Sequence, residues 1–247
     1  MLAILLIVGL AAVAGGGYGL YAQLTRHATA AEARAAGQQE VATRWLRLTA
    51  GQIFPRTVSY LSTASGGRWS AHLVGIAPQA SCAAATDPAA RTALVRSGCR
   101  TVLRATYADA SDTLIATVGI AVMPSPARAS AALPAVEAGV DEGVLAVPFP
   151  GTVAGLFGNA QRAVFGLRGQ GPYILFDSVG FADGRVTHMA DSDPALRDMG
   201  DAIVHALAGV FTAPGNPCRE KDIRCLAPAA AWRPAPPWPR PAWLRPA

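Results

Sequence analysis

Residues 100–123, RTVLRATYADASDTLIATVGIAVM, decide the fold of this chain. The first part alternates, with Arg100, Arg104 and Thr106 on one face and Leu103, Ala105 and Tyr107 on the other. Alternation with a period of two is the mark of a strand with two unlike faces. Residues 112–123 are rich in β-branched side chains and read as a second strand. The link Ala108-Asp109-Ala110-Ser111 is far too short for a crossover, so the pair is predicted to be an antiparallel hairpin.

The same grammar extends outward. Residues 57–62 and 69–76 read as strands around Ser65-Gly66-Gly67, a turn that suits positive φ. Asp87-Pro88 and Ser125-Pro126 each give an N-cap followed by proline at the first helical position. The first of these helices is expected to stop at Gly98, the second at Pro134. Residues 143–147 read as a short strand. Residues 161–168 alternate, with Arg162 and Arg168 outward and Ala163, Phe165 and Leu167 inward. Residues 173–181 are nearly continuous apolar, interrupted only by Asp177 and Ser178, as a central strand would be. A last helix over 194–211 carries an apolar stripe of Leu196, Met199, Ile203, Leu207 and Val210, opposite a polar face of Asp198, Asp201 and His205. Strands joined by short turns with helices between them predict an α+β domain, a mostly antiparallel sheet packed with helices.

The N-terminus has a different character. Residues 1–24 contain no charged side chain. Residues 2–21 supply the roughly 20 apolar positions a membrane-spanning helix needs, with Tyr18 and Tyr21 near one end and Arg26 and His27 beyond it. A cleaved signal peptide is the competing reading, but no Lys or Arg precedes the apolar run. Flanking charge alone does not orient the span. The predicted organisation is a transmembrane anchor over 1–25, a helical stalk over 26–54, an α+β domain over 55–213 and a Pro/Trp/Arg-rich tail over 214–247, extended and disordered.

Four cysteines, Cys82, Cys99, Cys218 and Cys225, lie beyond the span. Sequential pairing closes separations of 17 (99 − 82) and 7 (225 − 218). Structural disulfides persist outside the reducing cytosol, so the domain is expected outside the cytoplasm of a single-pass membrane protein. Neither pair has C-x-x-C spacing and no His is near either, which argues against zinc. Arginine outnumbers lysine 20 to one, but the net charge of +5 is spread along the chain, and no nucleic-acid partner is expected.

Nucleophile elbows, phosphate loops, metalloprotease helices and dinucleotide loops are all missing. No catalytic, cofactor-binding or metal residue is therefore assigned, and no cofactor is implied. His188, Asp191 and Asp193 form the densest polar cluster, although Asp193-Pro194 also reads as an ordinary helix start. Asp201 and His205 read as a surface helix pair, and His72 as a partly buried strand histidine.

The stretches Gly75-Ile76-Ala77-Pro78, Ser81-Cys82, Gly98-Cys99-Arg100, Leu103-Arg104-Ala105-Thr106-Tyr107 and Thr117-Val118-Gly119-Ile120 resemble those of uncharacterised membrane-anchored proteins of actinobacteria. In layout the chain is similar to extracellular sensor domains that follow a single span in actinobacterial receptors. The resemblance implies a disulfide-stapled α+β domain and transfers no catalytic residue. The expected role is binding, sensing or assembly in the cell envelope, without catalysis. Its partners are the lipid bilayer through residues 2–21 and another envelope protein or a wall polymer. The alternatives are an envelope hydrolase using His188 with the nearby aspartates, and a structural subunit of a membrane complex.

Overall fold

The computed structural model of the chain describes residues 15–18, 21, 28–139, 142–186 and 193–219. The predicted span over 2–21 lies largely outside these residues; Gly15 to Tyr18 and Tyr21 are helical. Among the described residues no helix is long and apolar enough to cross a membrane. The tail beyond Arg219, with Cys225, and the turn carrying His188 and Asp191 also lie outside them.

The chain divides into two compact units, residues 41–213 and residues 1–40 with 214–247. In the smaller unit, the buried Glu40 accepts a bond from the Asn216 N–H at 3.4 Å.

The larger unit is built on one six-stranded antiparallel sheet. Its strands are β1 (Thr57–Leu61), β2 (Arg68–Ile76), β3 (Thr101–Asp109), β4 (Leu114–Val122), β5 (Arg162–Gln170) and β6 (Tyr173–Phe181). They lie in the order β1-β2-β3-β4-β6-β5. The α+β class read from the sequence is the one observed. The 100–123 hairpin forms in continuous register from Thr101 opposite Val122 to Ala108 opposite Ile115. Asp109 builds its turn. One carboxylate oxygen accepts from the Thr113 and Leu114 N–H groups, both at 2.7 Å, and the other from the Ser111 hydroxyl.

Among the described residues the α-helices are α1 (Ala30–Arg47), which spans both units, and, in the larger unit, α2 (Ala50–Ile53), α3 (Cys82–Ala85), α4 (Pro88–Arg96), α5 (Pro126–Glu137) and α6 (Pro194–Thr212), which flank the sheet. They cover both faces. On one, Leu196, Met199, Ile203 and Leu207 of α6 pack with Ile53 and Phe54 against Tyr107, Ile120 and Leu175. Full burial of each such α6 side chain contributes about 1.5–3 kcal/mol. On the other, Leu94 and Ala132 pack on Val102, Ala121 and Phe176. This double cover explains why every residue of β4 is buried. Both ends of α6 are satisfied: Asp193 accepts from the Ala195 N–H at 2.9 Å, and Arg44 donates to the carbonyls of Val210 and Ala213, each at 3.0 Å.

Several local expectations are corrected. Pro134 does not end α5, which runs on to Glu137. A proline costs the helix one N–H bond, and here only the last turn follows it. Residues 143–147 do not form a strand; Val144 makes a single bridge to Thr86. Pro148 and Pro150 bar a ladder, and the segment lies across the sheet face, tied by side chains instead. Thr106 Oγ1 donates to the Val147 carbonyl at 2.8 Å, the Val147 N–H to Thr117 Oγ1 at 3.0 Å, and Ser178 Oγ to the Val144 carbonyl at 2.8 Å. His72 is exposed, 3.6 Å from Asp112.

Arg162 is the largest departure. The register of β5 shifts between Arg162 and Val164, placing Arg162 opposite Gly180 and Arg168 opposite Leu175. The bulge therefore sends the two arginines to opposite faces of the sheet. The Arg162 side chain is 8% exposed and grips Asp87 with its two terminal guanidinium nitrogens, at 2.5 and 2.9 Å. Asp87 stands at the N-cap of α4 but makes no capping bond with its side chain. Glu142 does that work from far along the chain, accepting from the Ala89 and Ala90 N–H groups at 2.5 and 3.3 Å.

Cys82 and Cys99 are joined in a disulfide with their Cα atoms 6.2 Å apart. It links α3 to the residue after Gly98, whose φ of +80° ends α4 as glycine readily can. Cys218 is also disulfide-bonded.

Candidate functional site

The sheet curls about α6 so that both edge strands reach one groove. Its volume is about 660 Å³, and Val58 to Leu61 of β1, Leu167 and Arg168 of β5 and the polar face of α6 line it. At its base is Asp177 of the central strand β6.

Asp177 stands directly opposite Gly166 of β5, and Gly200 of α6 lies over it. A Cβ on Gly166 would fall 2.0 Å from Asp177 Oδ1, and one on Gly200 would fall 2.2 Å from Oδ2. The carboxyl thus occupies space that two glycines leave empty. It is only 2% exposed, and Oδ1 has no hydrogen-bond partner. Burial first, then the charge of Asp201, pushes it up to about 7.

The rest of the groove is polar on one side and apolar on the other. Asp198 accepts from the Thr63 N–H at 2.6 Å and from its hydroxyl at 2.9 Å, fastening the end of β1 to α6. Burial, then the charges of Asp109 and Asp198, push the Tyr60 hydroxyl up to about 12. Arg168 Nη1 lies 3.4 Å from His205 Nδ1. Val58 of β1 and Ala202 and Ala206 of α6 supply the apolar lining.

The residues singled out in the sequence fare differently. Asp201 and His205, read as a plain surface pair, both line the groove. Asp193 caps α6; His188 and Asp191 lie outside the described residues. Ser178 faces away from the groove and is spent on the Val144 carbonyl. Asp177 and Arg168 were missed as site residues. The available signal was a carboxylate in the middle of an otherwise apolar central strand, with glycine at the cross-strand position.

Among the described residues no group of three His, Cys, Asp or Glu side chains could hold a metal ion. No protein-family model matches the chain, and neither a curated protein nor a solved structure matches it. The site must therefore be read from its own chemistry. A buried, unpartnered carboxyl beside two further carboxyls and an apolar wall can receive a hydrogen-bond donor or exchange a proton near neutral pH.

Proposed function

We propose that this chain is a single-pass, membrane-anchored binding or sensing domain of the cell envelope, facing outside the cytoplasm, with the groove along α6 as its binding surface. The observation that carries the reading is Asp177, a buried carboxyl without a partner at the base of an open groove. Such a group is costly to keep in a merely structural position, and sites are where that cost recurs. The uncharged run over 1–24 supports the anchor. The Cys82–Cys99 disulfide supports an oxidising compartment.

Intact cells treated with a membrane-impermeant thiol reagent test the topology. Labelling of the cysteines is expected in intact cells, and only after reduction. Labelling that needs permeabilisation and no reduction overturns the extracytoplasmic placement.

A further inference from the structure

We propose that the groove binds an organic cation, an ammonium group on an aliphatic stem, with the ammonium held at the Asp177 carboxylate and the stem against the apolar wall. The inference names the ligand class for the binding role above and rests on it.

Three observations carry it. First, Asp177 is 2% exposed, lines the groove, and its Oδ1 accepts no hydrogen bond. A buried carboxylate is stabilised by donors or by an opposite charge, and among the described residues no donor reaches this Oδ1. Gly166 and Gly200 make room for the carboxyl itself, with one oxygen against each glycine, so neither β5 nor α6 covers it with a side chain there. Second, the groove's charge selects a sign. Asp198 and Asp201 line it with Asp177, against one guanidinium, Arg168, which is turned toward the His205 ring. A bare metal ion is the poorer fit, because no three ligating side chains converge among the described residues. Third, Val58 of β1 with Ala202 and Ala206 of α6 give the lining an aliphatic surface. An inorganic cation gains nothing from that surface, whereas an alkyl stem loses its contact with water there.

The titratable and charged groups that line the groove with Asp177 bear on the pH dependence. These are Asp198, Asp201 and His205 on α6, Arg168 on β5 and Tyr60 on β1. The ammonium needs Asp177 ionised, and burial and Asp201 hold its titration near 7. Below that pH a proton competes with the ligand for Asp177. Affinity is expected to fall by about tenfold per pH unit at first.

The test uses the full chain in neutral detergent, titrated with hexylammonium, hexanol and hexanoate, and with a blocked Gly-Lys-Gly peptide. Calorimetry gives affinity, and thermal melting reports folding. Hexylammonium or the lysine peptide is expected to bind about tenfold or more tighter than hexanol, with hexanoate weakest. Which of the two cations binds better tells a free amine from a lysine side chain as the source. Asp177→Asn is expected to abolish the preference over hexanol while melting no lower than the wild type at pH 8. If that variant does not fold, Asp201→Asn keeps Asp177 in place and should weaken the cations severalfold without affecting hexanol. Equal binding of hexylammonium and hexanol, an unchanged preference in Asp177→Asn, or no binding of either cation at millimolar concentration overturns the proposal. Labelling is read in cells and affinity on purified chain, so the topology and the ligand class can fail separately.

Discussion

At the scale of single residues, the energetics of this domain turn on carboxylates that leave water. Asp109 shows how the cost is offset: buried, it accepts from three backbone N–H groups and a hydroxyl, and so closes the β3–β4 turn. Asp177 has no such company, and its pKa rises to about 7, against about 3.9 for an aspartate in an unfolded chain. The native state then holds a proton that the unfolded state has released between these two values. The stability that Asp177 contributes is therefore lost as pH rises from about 4 to about 7, an amount on the order of 4 kcal/mol. Asp177→Asn is expected to remove that slope and to raise stability at pH 8; urea unfolding of both proteins at pH 5 and pH 8 measures it. The same change in stability between the two pH values in wild type and variant contradicts the burial argument.

At the scale of elements, α6 does two jobs with one repeat. Its apolar stripe fills the core under the curled sheet, while Asp198, Asp201 and His205 border the groove. Gly200 sits between these duties, buried against Asp177. Helix propensity alone favours Gly200→Ala by about 1 kcal/mol. The contact decides otherwise: the added Cβ would meet Asp177 Oδ2 at 2.2 Å and Val179 Cγ2 at 2.9 Å. A net loss of about 1–3 kcal/mol is expected by chemical denaturation. Combining it with Asp177→Ala should recover most of the loss, because the clashing oxygens are then gone. The helix itself was legible in the sequence from its stripe and its Asp-Pro start. The duty of Gly200 was not, since its reason stands on another strand.

For the whole molecule, what the sequence revealed was local and what it hid was long-range. The hairpins and the α+β class follow from alternation and turn residues between neighbours in the chain. The irregular part of the cover on the second sheet face does not, because residues 143–147 are held by Thr106, Thr117 and Ser178 from distant strands. Nor does the place of Arg162, which alternation assigns to solvent and the β5 bulge turns inward to Asp87. The groove is hidden for the same reason, being assembled from β1, β5, β6 and α6. Because the Arg162–Asp87 pair ties β5 to the start of α4, Arg162→Ala leaves a buried carboxylate without its cation. A loss of about 3–5 kcal/mol is expected in equilibrium unfolding, with both sheet faces loosening together. The borrowed cap on α4 has a temporal consequence. A chain made from its N-terminus delivers α4 well before Glu142, so the helix first exists with its leading amides open to water. Cys82 and Cys99, which flank it closely, are already present then. In an oxidising environment the covalent link can hold that segment together until the later half of the chain arrives to complete it.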